Sequence, residues 1–403
     1  MSVVLPGSEI RERYESGLDA LRREFDSSGI GAGVVAGRCL LVDEVITSCY
    51  RQLLGQEVIA PNCVAVVGLG GYGRRTLLPH SDVDLLFLFK DLKHEAAYKD
   101  PLSRIYLDLW DLKIRASATA RTVAECGKLD AQNPEFTVSL LDSRFLIGDH
   151  ELFDGVRKKL LPGLLRKSGN ELVELVSTSA RSRHAKYANT IYHLEPNVKE
   201  GPGGLRDYNL ACWLALVNSF SRTGAWPEQE SLFEPRLYRE LSSAFDFFIS
   251  VRCFLHYRYG RDDNHLSWEA QDAAAEKGIG TTEPKVKPSA WMREYYRNAR
   301  AIYGASVQLL QAAQQKTTSL AARFKLWRSD RHASGSAADG VISSLEKYSI
   351  GNRQSAFVIF KRLAHEPLRL SIDAQRTLIE AAPLFAAPDV QHAFWPHLRE
   401  ILL

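Results

Sequence analysis

The sequence contains no C-x-x-C pair and no regular cysteine spacing. Its six cysteines, Cys39, Cys49, Cys63, Cys126, Cys212 and Cys253, are scattered, which argues against a disulfide scaffold or a structural zinc site and fits reduced thiols in a cytoplasm. No apolar run approaches the roughly 20 residues of a membrane span. The opening residues, MSVVLPGSEIRERY, lack the basic-then-apolar order of a secretion signal. A charge surplus is missing too: 51 Lys and Arg stand against 48 Asp and Glu, so the overall balance does not advertise nucleic-acid binding, and only a local basic face stays open. What is present is 403 residues with 45% hydrophobic and 25% charged content, the profile of a folded, cytoplasmic chain of two or three domains.

Ser8 to about Phe25 carries Leu18, Leu21 and Phe25 on one helical face, and a second helical stretch runs from Arg38 to Leu54, closed by Pro61. The pattern then changes. Residues 63–68 (CVAVVG) and 83–89 (VDLLFLF) are short apolar runs flanking a Gly-rich connection, which predicts neighbouring strands packed on helices. A helix is expected from about Tyr98 to Trp110, followed by a weaker strand from Asp111 to about Ala120. From Arg121 the period is mostly helical, in stretches such as Leu140 to Phe153, Glu171 to Ala188 and Leu237 to Tyr259. A second glycine cluster, EPNVKEGPGGLRD at 195–207, interrupts it. Residues 260–288 read as loop or short helices, Ser329 to Gly340 as a small, polar linker, and Val341 to Leu403 as helical.

The most informative block is GLGGYGRRTLLPHSDVD, residues 68–84. On a strand, Asp82 and Asp84 at i and i+2 share a face. Two carboxylates so close repel unless a cation lies between them, and a spare pair of hard oxygens leaves room for waters and phosphates, as magnesium prefers. Gly70, Gly71 and Gly73 let backbone N–H groups approach phosphate oxygens. Ser81 adds a hydroxyl, and Arg74 and Arg75 add positive charge. The loop is neither a dinucleotide fingerprint nor a Gly-Lys-Ser/Thr hydrolase loop. Alone it would be a turn, and Asp-x-Asp alone a solvated strand end; in one ordered block they point to nucleotidyl or phosphoryl transfer, with two metal ions about 4 Å apart.

The block GLGGYGRRTLLPHSDVDLLFL resembles the signature of the DNA polymerase beta nucleotidyltransferase superfamily, and within it most closely that of bacterial PII uridylyltransferases. The likeness continues through Leu109–Asp111, residues 140–144 (LLDSR), the cluster at 195–207, Leu255-His256, residues 266–271 and residues 292–296 (MREYY). It implies an α+β chain: an N-terminal helical segment (1–60), a small mixed-sheet catalytic core (61–150), a larger all-helical associated domain (151–325) and a helical tail (341–403). It implies a third carboxylate on a neighbouring strand, for which Asp111 is the candidate, the alternative being that Asp111 simply ends the helix before it; a placement a few residues later falls on Arg115, where there is no acid. It implies that Lys199 and Arg206 contact the nucleotide, while Asp207 caps the next helix. The stretch HYRYGRDDNH, flanked by His256 and His265, reads as a surface loop packed through Tyr257 and Tyr259, the alternative being a lining of the substrate groove.

PII uridylyltransferases also carry a uridylyl-removing domain, which needs a His-Asp dipeptide, and then sensing domains. None of the eleven histidines here precedes Asp, so a shortened form without those functions is expected. The leading function is magnesium-dependent transfer of UMP from UTP to a tyrosine of a PII-type signalling protein, with no membrane partner. The alternatives are nucleic-acid-directed transfer, which requires a basic groove, and a non-catalytic nucleotide-binding module.

Overall fold

The computed structural model describes residues 7–56, 62–283, 285–317, 341–342, 353–365, 369–370, 374 and 378. The chain divides into two compact units, Met1–Gln315 and Lys316–Leu403.

In the first unit, helices α1 (Gly7–Ser28) and α2 (Ala32–Gly55) precede a sheet of β1 (Val64–Gly68), β2 (Val83–Phe89), β3 (Ala116–Thr122) and β4 (Arg144–Gly148), with the one-turn α3 (Gly70–Gly73) between β1 and β2. The strand order is β3-β2-β1-β4. β1 runs antiparallel to β2 and β4, and β2 parallel to β3, with Asp84 opposite Ser117. The sheet is therefore mixed, as expected. β1, and β2 apart from Asp84, read as apolar runs because both faces are covered. Val64, Val66, Val83, Leu85 and Phe87 pack against Val42, Ile46 and Tyr50 of α2 and Leu102 and Ile105 of α4 (Leu92–Asp111). The alternate residues Ala65, Val67, Leu86 and Leu88 pack against Cys126, Leu140 and Leu161.

Two expectations change here. The stretch from Leu140 to Phe153 is not one helix: α5 (Pro134–Leu141) ends, β4 crosses, and α6 (His150–Gly155) begins. Five residues at a sheet edge carry too little periodicity to separate from a helix, and Gly148, at φ 103°, turns the chain out of the strand. Asp111 opens no strand; it is the last residue of α4, and β3 starts at Ala116.

A helical region follows: α7 (Leu161–Lys186), α8 (Leu205–Thr223), α9 (Pro235–Tyr259), α10 (Trp268–Glu276) and α11 (Pro288–Thr317). Gly224 and Gly260 end α8 and α9 in the left-handed conformation. The core of this region, built on Phe247, Phe248, Trp291 and Tyr295, also takes in Val34 and Val35 of α2. One helix thus belongs to two cores. None of the six cysteines forms a disulfide.

In the second unit, a helix (Arg353–His365) lies between two short strands, Val341–Ile342 and Arg369–Leu370, that pair in parallel. The tail is thus not wholly helical among its described residues. The linker expected at Ser329 to Gly340 lies outside the described residues. No helix among the described residues is long and apolar enough to cross a membrane.

Candidate active site

A cavity of about 910 Å³ opens between the sheet and the helical region. Its lining brings together Gly70, Gly71, Arg74, Ser81, Asp82 and Asp84 from the β1–β2 segment with Lys199 and Arg206 from the second glycine cluster. Asp111 is not among the lining residues; it is exposed at the end of α4, where its carbonyl accepts from Arg11.

Asp84 lies on the face of β2 that carries Leu86 and Leu88. The sheet buries one side of it, and burial followed by the neighbouring Asp82 charge raises its pKa above the ordinary carboxylate value. Gly70, at φ 52°, comes close enough that a Cβ there would sit 3.1 Å from Asp84 Oδ2. The strand beside β2 presents Ser117 and Thr119 to the cavity rather than an acid. Just before it, Arg115 places Nε 3.0 Å from Asp82 Oδ1 and donates through a second nitrogen to the His80 carbonyl. The expected third carboxylate is therefore not brought to the site.

The donor set decides what a metal finds here. Two neighbouring carboxylates on the cavity wall fit one magnesium ion that takes its other ligands from water and phosphate. Among the described residues no group of three or more His, Cys, Asp or Glu converges to hold a metal, so the three-carboxylate arrangement for two ions is not met.

The cations are mostly engaged with acids. Arg74 donates to Asp142, which also accepts from Trp213 Nε1 at 2.9 Å. Arg206 bonds Glu200 at 3.1 Å and lies 3.8 Å from Glu135. Lys199 lies 3.8 Å from Asp262, and burial, with Arg252 adding to it, lowers its pKa. Arg75 is exposed, at φ 62°, and away from the cavity.

The second glycine cluster is a buried turn held by Asp207. Asp207 does not cap α8; Gly204 does, and Asp207 is the third residue of the helix. Its carboxylate, fully buried, takes hydrogen bonds from Gly203 N at 2.8 Å and Arg183 at 2.6 Å, and lies 2.8 Å from His184 Nε2.

Sequence reasoning also missed the network behind the loop. His256 is not on a surface loop but fully buried in α9. Its Nδ1 accepts from the His80 backbone N–H at 3.1 Å, so the neutral ring keeps its proton on Nε2, 2.9 Å from Asp262 Oδ1. Arg252 donates to the same oxygen at 2.8 Å. Although burial pushes the Asp262 carboxyl up, His256, Arg252 and Lys199 hold it well below the usual range. The clue was present: Arg, His, two Asp and Asn within thirteen residues of one helix end.

Arg183 and Lys186 of α7 and Asn209 and Trp213 of α8 also line the cavity. Their spacings of three and four residues are ordinary for a helix face, so nothing in the sequence singled them out.

Residues 174–310 match the family model described as GlnD PII-uridylyltransferase. Several curated proteins named bifunctional uridylyltransferase/uridylyl-removing enzyme are similar over most of the chain. That of Nitrosospira multiformis is 30% identical over 307 residues, 75% of this chain and 34% of that protein. Those of Aromatoleum aromaticum and Burkholderia orbicola are 34% and 35% identical, each again over 75% of this chain and 34% of the relative. The chain spans about a third of the length of the curated relatives it matches.

Proposed function

We propose, from the match of residues 174–310 to the family model described as GlnD PII-uridylyltransferase, that this chain transfers UMP from UTP to a tyrosine hydroxyl of a PII-type signalling protein. The observation that carries this reading is the convergence of Asp82 and Asp84 with the loop at Gly70 and Gly71, Ser81, Lys199 and Arg206 on one cavity. These residues come from two glycine clusters more than a hundred positions apart in the sequence, brought together by the fold.

In this reading the tyrosine hydroxyl gives its proton to solvent as its oxygen bonds to the α-phosphorus of UTP, the bond from that phosphorus to the bridging β-phosphate oxygen breaks, and pyrophosphate leaves. Asp82 and Asp84 would hold one magnesium ion, which would supply Lewis-acid charge to the phosphate oxygens. Gly70 and Gly71 keep side chains out of the way, so main-chain N–H groups lie within reach of the triphosphate. Lys199 and Arg206 face it from the opposite wall and offset its charge.

The missing third carboxylate and the Arg115–Asp82 ion pair favour a second reading, in which the nucleotide is held but not turned over. One assay separates the readings. The purified chain is incubated with magnesium, each labelled nucleoside triphosphate, and either a PII protein or RNA, with a parallel sample in EDTA. EDTA-sensitive uridylyl label on the PII protein is the expected result. Label on RNA moves the assignment to a nucleic-acid-directed transferase; bound nucleotide with no label anywhere leaves a binding module.

A further inference from the structure

The electrostatics at the head of β2 do not match a site built for two divalent ions. Asp82 and Asp84 supply two carboxylates, and β3, paired in parallel beside them, sets Ser117 opposite Asp84. The chain reaches β3 through Arg115, whose Nε lies 3.0 Å from Asp82 Oδ1. The same guanidinium donates to the carbonyl of His80, two residues before Asp82. Arg115 and Asp82 remain 55% and 57% exposed, and a simple surface pair of that kind holds weakly. Two contacts from one planar fork, to a carboxylate and to the backbone just before it, fix its position better than a single ion pair does.

A guanidinium does not lose its proton in a protein. A dication approaching the Asp82 oxygen it occupies therefore meets a full positive charge. We infer that Arg115 is the resident cation of this site: it neutralises Asp82 on the β3 side, so the site accepts a nucleoside triphosphate with a single divalent ion, and Arg115 competes with that ion for Asp82. This rests on the reading of the cavity as a nucleotide site.

The test uses the full chain with Mn²⁺ in place of Mg²⁺ and counts protein-bound Mn²⁺ by electron paramagnetic resonance, with and without the non-hydrolysable analogue α,β-methylene UTP. With the analogue bound, one Mn²⁺ per chain is expected, and two in Arg115→Glu, where a carboxylate replaces the cation. Without nucleotide, Arg115→Ala should bind Mn²⁺ about tenfold more tightly, and Arg115→Lys, which keeps the charge, should stay near the unmodified chain. Two ions in the unmodified chain, or a count of one in Arg115→Glu, overturns the inference. Should the analogue fail to bind, the nucleotide reading fails instead. The nucleotide-free titration then decides: tightening in Arg115→Ala upholds the role of Arg115, and unchanged affinity removes it.

Discussion

The backbone N–H of His80 donates to Nδ1 of His256 across 3.1 Å, which ties the loop entering the Asp82–Asp84 strand to the last turns of α9. His256 has no exposure to solvent, so His256→Ala leaves the His80 N–H and the Asp262 carboxylate short of a partner. We expect a loss of about 2 kcal/mol in unfolding free energy. His256→Asn, whose side-chain oxygen can take over the acceptor role of Nδ1, should lose less. Urea denaturation of the two variants checks the order; equal losses would show that the bond to His80 contributes nothing.

The same ring sets a pH dependence. Burial, with Arg252 and His80 adding to it and Asp262 opposing it, lowers the His256 pKa from 6.5 to about 4. Between those values the unfolded chain binds a proton that the folded chain does not. The contribution is therefore complete above 6.5 and is lost as pH falls toward 4. Thermal midpoints measured across this window should drop less steeply in His256→Asn than in the unmodified chain.

Asp84→Asn should separate stability from activity. The raised pKa of Asp84 means that its ionised form is disfavoured by the fold, so the neutral isostere should leave thermal stability equal or higher. Label transfer should fall by at least about 100-fold, because a charge that stabilises the transition state is lost. A variant that keeps full transfer removes Asp84 from the site.

Gly203→Ala tests the turn under α8. Gly203 sits at φ 75°, and a Cβ there would lie 2.4 Å from the Ala299 carbonyl oxygen of α11. Backbone cannot move aside cheaply, so the strain and displacement together should cost more than about 2 kcal/mol. Circular dichroism during thermal unfolding reads this directly, and an unshifted midpoint would contradict it.

For Lys199 and Arg206 the expectation concerns affinity. The double alanine variant keeps Asp262 paired with Arg252, so the fold should persist while UTP affinity falls about 10–100-fold. Isothermal titration with the non-hydrolysable analogue measures it, and unchanged affinity would take both residues out of the nucleotide's reach.

Much of the fold was legible where sequence pattern and burial coincide. Residues 64–68, and 83–89 apart from Asp84, are apolar on both faces because both faces are covered, and the two runs pair as neighbours. β4 was hidden because five edge residues between two helices show no decisive period. Within the site, the chemistry concentrated in short blocks was readable: Gly70 to Asp84, and Lys199 to Arg206. The third acid was not. Asp111 and Arg115 differ by four positions, and only the observed end of α4 and the start of β3 show that Asp111 stays in the helix while Arg115 reaches Asp82. His256 illustrates the same limit from the other side, since a histidine in a polar stretch looks exposed until the helix it ends is seen to be enclosed.

Helix α2 threads both halves of the first unit. Its middle and end pack on the sheet through Val42, Ile46 and Tyr50, while Val34 and Val35 enter the helical core. At its start, Gly31 N donates to Ser250 Oγ at 2.9 Å. A rod embedded in both cores works against a hinge between them along that line. On the proposed function, an acceptor protein would have to offer its tyrosine on a projection slim enough to enter between those two cores.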